Sequence, residues 1–307
     1  MIRMAGGQIR TLPVQDIRIE PRLGNTPRIL RLPDGTMLET ADHGAVARLE
    51  AQVRPANSWL HRLESRWTAV LVATVLAIAV LLGTVTWGIP ALAGFIAGQI
   101  PAPQVQQLGP DALDWLDTHV FSPSNLPEAR RNALQEQFDT LIRNSEFRYR
   151  LHIRASPKLG ANALALPSGD IILTDELVAL AEDDNELMAV LLHEQGHVEK
   201  RHGLRLALQQ ASVVTLVTLM TGDLSTASSA ITALPLLLTQ LGYSRDMERE
   251  ADAYAVVRMR ETGLDTGAFV RILRKLAASH GEEQASTGFL STHPVTDERI
   301  AAIRASR

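Results

Sequence analysis

His193 and His197 stand four residues apart with Glu194 beside the first, in the pentad His-Glu-Gln-Gly-His. On an α-helix, positions i and i+4 lie one above the other on the same face. Two neutral imidazoles placed in that way can share one zinc ion, and the glutamate one step along then faces a water at the open coordination position. The chemistry implied is hydrolysis: the metal polarises a carbonyl while a carboxylate takes the proton of the attacking water. The chain contains no cysteine, which excludes thiolate zinc ligands, a thiol nucleophile and a disulfide framework.

A catalytic zinc needs a third protein ligand. The segment Ser244 to Ala255 (SRDMEREADAYA) offers Glu248 and Glu250. Two apart on a helix, they point about 200° away from each other. Glu248 shares a face with Asp252, and that face continues into Ala255, Val256 and Met259. A buried carboxylate pair there makes sense beside a cation, with Glu248 on the metal and Asp252 accepting a hydrogen bond from a ligating imidazole. Glu250 falls beside Asp246 and Arg249, closer to a solvated face. A surface ion pair of Glu248 with Arg245 or Arg249 is the plain alternative.

The pentad needs a helix to carry it. Asp183 can cap its start with Glu186 as box partner. Leu187, Val190, Leu191 and Val198 repeat at helical spacing. Lys200 and Arg201 suit its negative end, and Gly203 can close it. Gly196 costs about 1 kcal/mol against alanine and leaves room for a close approach. His202 lies about 140° off the face of His197, placing it as a C-terminal dipole partner rather than a ligand. Upstream, Tyr149 to Arg154 alternates as a strand, and Asn162 to Thr174 reads as two short strands joined by Pro167-Ser168-Gly169-Asp170. Such a hairpin could offer a free edge to an extended peptide. Asp111 to Phe147 reads as helices. His43, His61, His119 and His152 are placed as solvated or packing residues, and His280 as a helix-end neighbour.

With 307 residues, 46% of them hydrophobic, the chain suffices for one large domain and a smaller one. A net charge of −4 gives no footprint for nucleic acid. Residues 1–58 read as a small β-rich unit: a strand over Gln15 to Glu20, a hairpin over Leu30 to Glu39 turning at Pro33-Asp34-Gly35, and a helical pattern from Asp42. No charge occurs from Trp67 to Pro110. Trp67 and Trp87 are 20 positions apart, about 30 Å on a helix, which is the thickness of a bilayer core. Residues 67–89 are therefore expected to span the membrane, ending at Pro90, with Ala91 to Ile100 along the interface. Arg48, Arg54, Arg62 and Arg66 precede the span, and no Lys or Arg follows until Arg130. The positive-inside rule then leaves the N-terminus in the cytoplasm and the pentad outside it. Leu204 to Thr221 and Ala227 to Gly242 are apolar but broken by Gly222-Asp223 and Pro235, and read as core or membrane-surface helices.

HEQGH, followed by SRxxExEAD with its Glu248 placed 51 residues after His197, resembles the M48 peptidases, which include HtpX- and Ste24-type membrane proteases and periplasmic relatives. The resemblance spans roughly Asn162 to Ile300 and takes in the NALALPSGDIILT hairpin and a late THPVTDERI segment. It implies a gluzincin fold, one Zn2+ per subunit held by His193, His197 and Glu248, and Glu194 as catalytic base. In relatives the histidine of the late segment lies near the zinc, as an extra ligand or as a hydrogen-bond donor to the transition state. That maps to His293, and the arginine of the same segment to Arg299. The single N-terminal span and the β-rich unit are unlike the multi-span members.

The expectation is an α+β, mainly α protein with a gluzincin-type domain over residues 101–307, a small edge hairpin, one transmembrane helix and residues 1–58 as a separate unit. It would be an endopeptidase of the inner membrane facing the periplasm, acting on proteins or peptides, in envelope protein quality control. The competing expectation is a membrane-tethered, chaperone-like binding module whose zinc is structural or latent.

Overall fold

The computed structural model describes residues 2–3, 9–10, 12–20, 24, 26–53, 67–107, 109–142, 145, 147–221, 242–279 and 289–305. Arg54, His61, Arg62, Arg66, the breakers Gly222, Asp223 and Pro235, and His280 lie outside the described residues. The chain divides into two units, Met1–Leu82 and Gly83–Arg307.

In the first unit, β1 (Ile2–Arg3) pairs antiparallel with β2 (Ile9–Arg10). Strands β3 (Arg18–Ile19), β4 (Arg28–Arg31) and β5 (Met37–Thr40) form an antiparallel meander, with Leu30 opposite Leu38. Gly35 takes a φ of 83° at the β4–β5 turn, and Asp34 accepts the Thr36 amide at 3.0 Å. The expected strand over Gln15 to Glu20 shortens to β3, because Val14–Asp16 forms a 3-10 turn closed by the Asp16 amide on Pro13 O. Helix α1 (His43–Val53) follows, started by Asp42, which accepts the Ala45 amide. Leu30, Leu32 and Val46 are buried, and buried Arg28 pairs with Glu50.

Helix α2 (Trp67–Gly83) runs into a π turn at Thr84–Gly88 and on into α3 (Ile89–Gln99). Pro90 therefore does not end the helix. In the π turn the Ile89 amide reaches back five residues to Thr84 O, and Pro90 sits in the first turn of the helix that follows. The fixed φ of proline is compatible with that helical turn. The helical stretch Ala69–Gln99 has 31 residues and a mean hydropathy of 2.5 in its most apolar window, none of which is buried. At 1.5 Å per residue it is longer than a bilayer core is thick. Of the segment Ala91 to Ile100, all but Ile100 is thus a continuation of the apolar helix rather than a separate segment.

The second unit continues with α4 (Ala102–Gln106), α5 (Gly109–His119), β6 (Ser122–Pro123), α6 (Glu128–Leu141), β7 (Arg150–Ala155), β8 (Ala163–Ala165), β9 (Asp170–Thr174) and α7 (Asp175–Leu180). After these come α8 (Asp184–Glu199), α9 (His202–Thr221), α10 (Arg245–Glu261), α11 (Thr266–Ser279), α12 (Phe289–Thr292) and α13 (Asp297–Ala305). Among the described residues the unit is mainly helical with one small sheet, ordered β6-β7-β9-β8. The β8–β9 hairpin is antiparallel, with Leu164 opposite Ile172, and β7 runs parallel to β9. Strand β8 is thus an edge. Gly169, with φ of 94°, makes the turn. Below it the buried Asp170 carboxylate accepts from Ser168 Oγ at 2.6 Å, Arg150 at 2.7 and 2.9 Å, and His152 Nε2 at 2.7 Å.

Helix α8 is the centre of this unit. Every residue from Glu186 to Val198 is buried, because α10, α11, α9, α6 and the hairpin all pack on it. A helix covered on every side needs few polar positions on its surface, so the polar ones it does carry stand out. Asp183 caps it by accepting the Glu186 amide at 3.1 Å, and Glu186 returns a bond to the Glu182 amide. Its far end departs from expectation. Arg201, not Gly203, takes the left-handed position, with φ of 57°. That costs a non-glycine residue roughly 1–2 kcal/mol, offset by bonds from Arg201 Nη1 to the carbonyls of Ala97 and Ile100. Gly203 lies inside α9, where a Cβ would meet Pro167 of the hairpin turn at 3.1 Å.

Helix α9 is 20 residues long and apolar enough to cross a membrane by length and composition. It packs against α3 through Leu204, Leu208 and Ala97, while Val217, Leu219 and Met220 near its end are exposed.

Candidate metal centre

Helix α8 presents His193 and His197 on one face, and α10 crosses that face. The crossing is close because position 196 has no side chain. It brings Glu248 in from the first turn of α10, whose cap is Ser244 accepting the Met247 amide. The loop between α12 and α13 delivers His293 just before Pro294, and a residue before proline is biased to extended backbone. His193, His197, Glu248 and His293 are all buried, and one ligand atom from each lies within 4.8 Å of the others.

The spacing suits a single metal ion. His193 Nε2 is 3.0 Å from His197 Nε2, 3.3 Å from His293 Nδ1 and 3.6 Å from Glu248 Oε2. Glu248 Oε1 is 3.3 Å from His197 Nε2 and 3.0 Å from His293 Nδ1. Zinc bonds of about 2.0–2.1 Å place neighbouring tetrahedral ligands about 3.3 Å apart. Imidazole nitrogen with a single carboxylate is also a donor set that suits zinc. Both carboxylate oxygens of Glu194 are buried without a well-formed hydrogen bond; the Ala165 backbone and His293 Nε2, 3.4 Å from Oε1, are close by. A buried carboxylate so weakly held is costly unless a cation or a water takes up its remaining valence.

Behind the cluster, Asp252 Oδ1 is 2.9 Å from His193 Nδ1. Arg299 grips Asp252 through two parallel bonds of 2.7 and 2.8 Å and reaches Glu248 Oε2 at 2.5 Å. Glu248 therefore pairs with Arg299 rather than with Arg245 or Arg249. The latter pairs with Asp246 and Glu298. Phe289 stacks on the His293 ring at 4.4 Å.

Burial and charge act against each other here. Burial raises the Glu194 carboxyl, and the charges of His293 and His193 only partly oppose it. Burial would raise Glu248 as well, but the charge on His293 and bonds from His197 and His293 hold it well below the usual carboxylate range. Asp252 is likewise lowered, its burial outweighed by bonds from His193 and Arg299. Burial keeps His197 neutral by pushing it well below the usual imidazole value.

All seven residues singled out in the sequence thus meet in one place. Two placements differ from expectation. Glu250 is not simply solvated: it accepts from His202 Nε2 at 3.0 Å. His202 is not a dipole partner: it is fully buried, with Nδ1 3.0 Å from His197 Nδ1. Tyr243, whose ring stacks on His197 at 3.8 Å, went unnoticed in the sequence, since a lone tyrosine has no spacing to mark it.

The model of peptidase family M48 matches residues 128–307, and a domain of unknown function, DUF7092, matches residues 1–53. Three relatives are similar in sequence. The mitochondrial metalloendopeptidase OMA1 of Schizosaccharomyces pombe is 28% identical over 52% of this chain and 47% of its own length. The beta-barrel assembly-enhancing protease of Yersinia pestis is 28% identical over 47% of this chain and 32% of its own. Metalloprotease LoiP of Escherichia coli K12 is 27% identical over 68% of this chain and 83% of its own. The match spans less than half the length of the first two. The matched family model covers more than half of the chain, from Glu128 through the pentad, the Glu248 helix and His293, so the chain belongs to peptidase family M48, a family of metallopeptidases.

Proposed function

We propose that the chain is a zinc endopeptidase anchored in a membrane, cutting protein substrates by water attack on the peptide bond. The single observation that carries this reading is the gathering of His193, His197 and Glu248 around one buried point, with the buried Glu194 carboxylate beside it. Those three residues would hold the metal. When bound, zinc supplies a Lewis acid that polarises the scissile carbonyl and steadies the negative charge it develops. Glu194 takes the proton of the attacking water and later gives it to the leaving amine, and its raised carboxyl suits both halves of that exchange. Asp252 and Arg299 fix His193 and Glu248 in place.

Strand β8, at the edge of the sheet and packed on α8, suits an extended peptide added as a further strand. Backbone bonds of that kind give affinity without demanding one sequence. His293 occupies the fourth corner in this conformation, so we read it as closing the resting site. The enzyme would then be latent until the α12–α13 loop moves. The domain has the gluzincin arrangement that the resemblance implies. Residues 67–89 would cross the inner membrane once, with the N-terminus in the cytoplasm and the peptidase outside. The names of relatives that are mitochondrial or enhance beta-barrel assembly support a role in protein quality control at a membrane.

The metal content of purified Glu248→Gln tests the ligand set: zinc should be lost, and full retention would remove Glu248 from it. Protease added to intact spheroplasts tests the topology. It should digest the region after residue 110 and spare residues 1–53, and the opposite pattern would overturn the orientation.

A further inference from the structure

The two paired histidines of α8 are supported differently. His193 Nδ1 meets a carboxylate directly, Asp252 Oδ1 at 2.9 Å. Among the described residues, His197 Nδ1 meets no carboxylate. It meets a second imidazole, His202 Nδ1, at 3.0 Å, and the far nitrogen of that ring meets Glu250 Oε2 at 3.0 Å. We propose that Glu250 and His202 form a relay that orients His197 and strengthens it as a ligand, doing through an inserted imidazole what Asp252 does for His193 by contact. The proposal rests on the metal reading of the site given above.

The proton positions follow from the two ends. His197 Nε2 faces the cluster, 3.3 Å from Glu248 Oε1. To give its lone pair to a metal there, the neutral ring must carry its proton on Nδ1. Two ring nitrogens 3.0 Å apart need one proton between them, so His202 Nδ1 is the acceptor. His202 then carries its own proton on Nε2 and donates it to Glu250, which as a carboxylate only accepts. Reversing the tautomer of His202 would set two N–H groups against each other at Nδ1 and leave Glu250 facing a bare nitrogen. One arrangement therefore satisfies both contacts.

The fold secures this relay at some cost. The left-handed turn at Arg201 starts α9 at His202, so the ring is aimed back at α8, where it is fully buried. Tyr243 stacks on the face of the His197 ring. Glu250 is half exposed and is also 3.7 Å from Arg205. Its separation of two residues from Glu248 puts it on the opposite side of α10, where it serves the second histidine while Glu248 serves the metal. Outer partners of metal-bound histidines commonly account for a 10–100-fold change in metal affinity.

The test uses the full-length protein in detergent. Zinc affinity is measured by chelator competition for the wild type, Glu250→Ala, His202→Ala and the control His119→Ala. Among the described residues His119 bonds its own helix, at Trp115 O, and stacks on Trp115. The two relay variants should bind zinc about 10–100-fold more weakly, with a shifted absorption spectrum after cobalt substitution, while His119→Ala matches the wild type. Glu250 is half exposed, so its replacement should leave folding intact. In 15N spectra of histidine-labelled wild type, His202 should carry its proton on Nε2. Unchanged affinity and an unchanged cobalt spectrum in both relay variants, or a proton on His202 Nδ1, would overturn the relay while leaving the metal site standing. A wild type that binds no zinc would overturn the metal reading itself.

Discussion

Gly196 faces the backbone of Ala251: a Cβ at position 196 would lie 3.0 Å from both the Ala251 Cα and its carbonyl oxygen. Position 196 sits between the two pentad histidines on α8, and Ala251 lies between Glu248 and Asp252 on α10. The glycine that weakens the helix thus sets the distance between the ligands on one helix and the carboxylates on the other.

Gly196→Ala should gain about 1 kcal/mol in helix propensity and lose about 1–3 kcal/mol through overpacking against a backbone that cannot rotate away. The net effect expected is a lower Tm with weaker zinc binding, because α10 must shift by a few tenths of an ångström. Thermal unfolding with and without zinc measures both, and a variant as stable and as tightly binding as wild type would contradict the close-approach argument.

Asp170 predicts a pH dependence. Burial alone would raise its carboxyl, but bonds from His152, Arg150 and Ser168 and the Arg150 charge outweigh it and hold the carboxyl well below its ordinary value. With the folded pKa below the unfolded value of about 3.9, the ionised group stabilises the fold above that pH. The contribution fades as pH falls from there toward the folded pKa. Asp170→Asn should cost about 2 kcal/mol at pH 7, and the gap between variant and wild type should close on acidification. Denaturant unfolding at a series of pH values checks it, and a gap that widens in acid would contradict the sign.

His293 sits at ligand distance from His193 and Glu248. If it closes the site at rest, His293→Ala should retain zinc on three ligands and cleave an unfolded substrate faster than wild type. A 10²–10³-fold loss of turnover with zinc retained would instead assign it as a donor to the developing oxyanion.

What could be read in the sequence was local. The Asp183 cap, the two histidines, the hairpin over Asn162 to Thr174 and the shared face of Glu248 and Asp252 all lie within one or two helical turns or one tight turn, where spacing fixes geometry. What could not be read depends on distant partners. Pro90 reads as a terminator unless the π turn before it is known. Gly203 reads as a cap unless Pro167, from the hairpin, is known to lean on it. The helical phase of Glu250 placed it correctly away from Glu248 but could not show that α9 brings His202 to that side. His293, 100 residues from His193 in sequence, was placed near the metal by family resemblance alone.

The most direct test of the account is Glu194→Gln in the full-length protein, assayed for cleavage of an unfolded substrate such as casein alongside zinc content. Glutamine keeps the size of the side chain and removes its ability to hold a proton. Zinc should remain at wild-type level while turnover falls to background. Cleavage at the wild-type rate by a zinc-loaded Glu194→Gln protein would contradict the account.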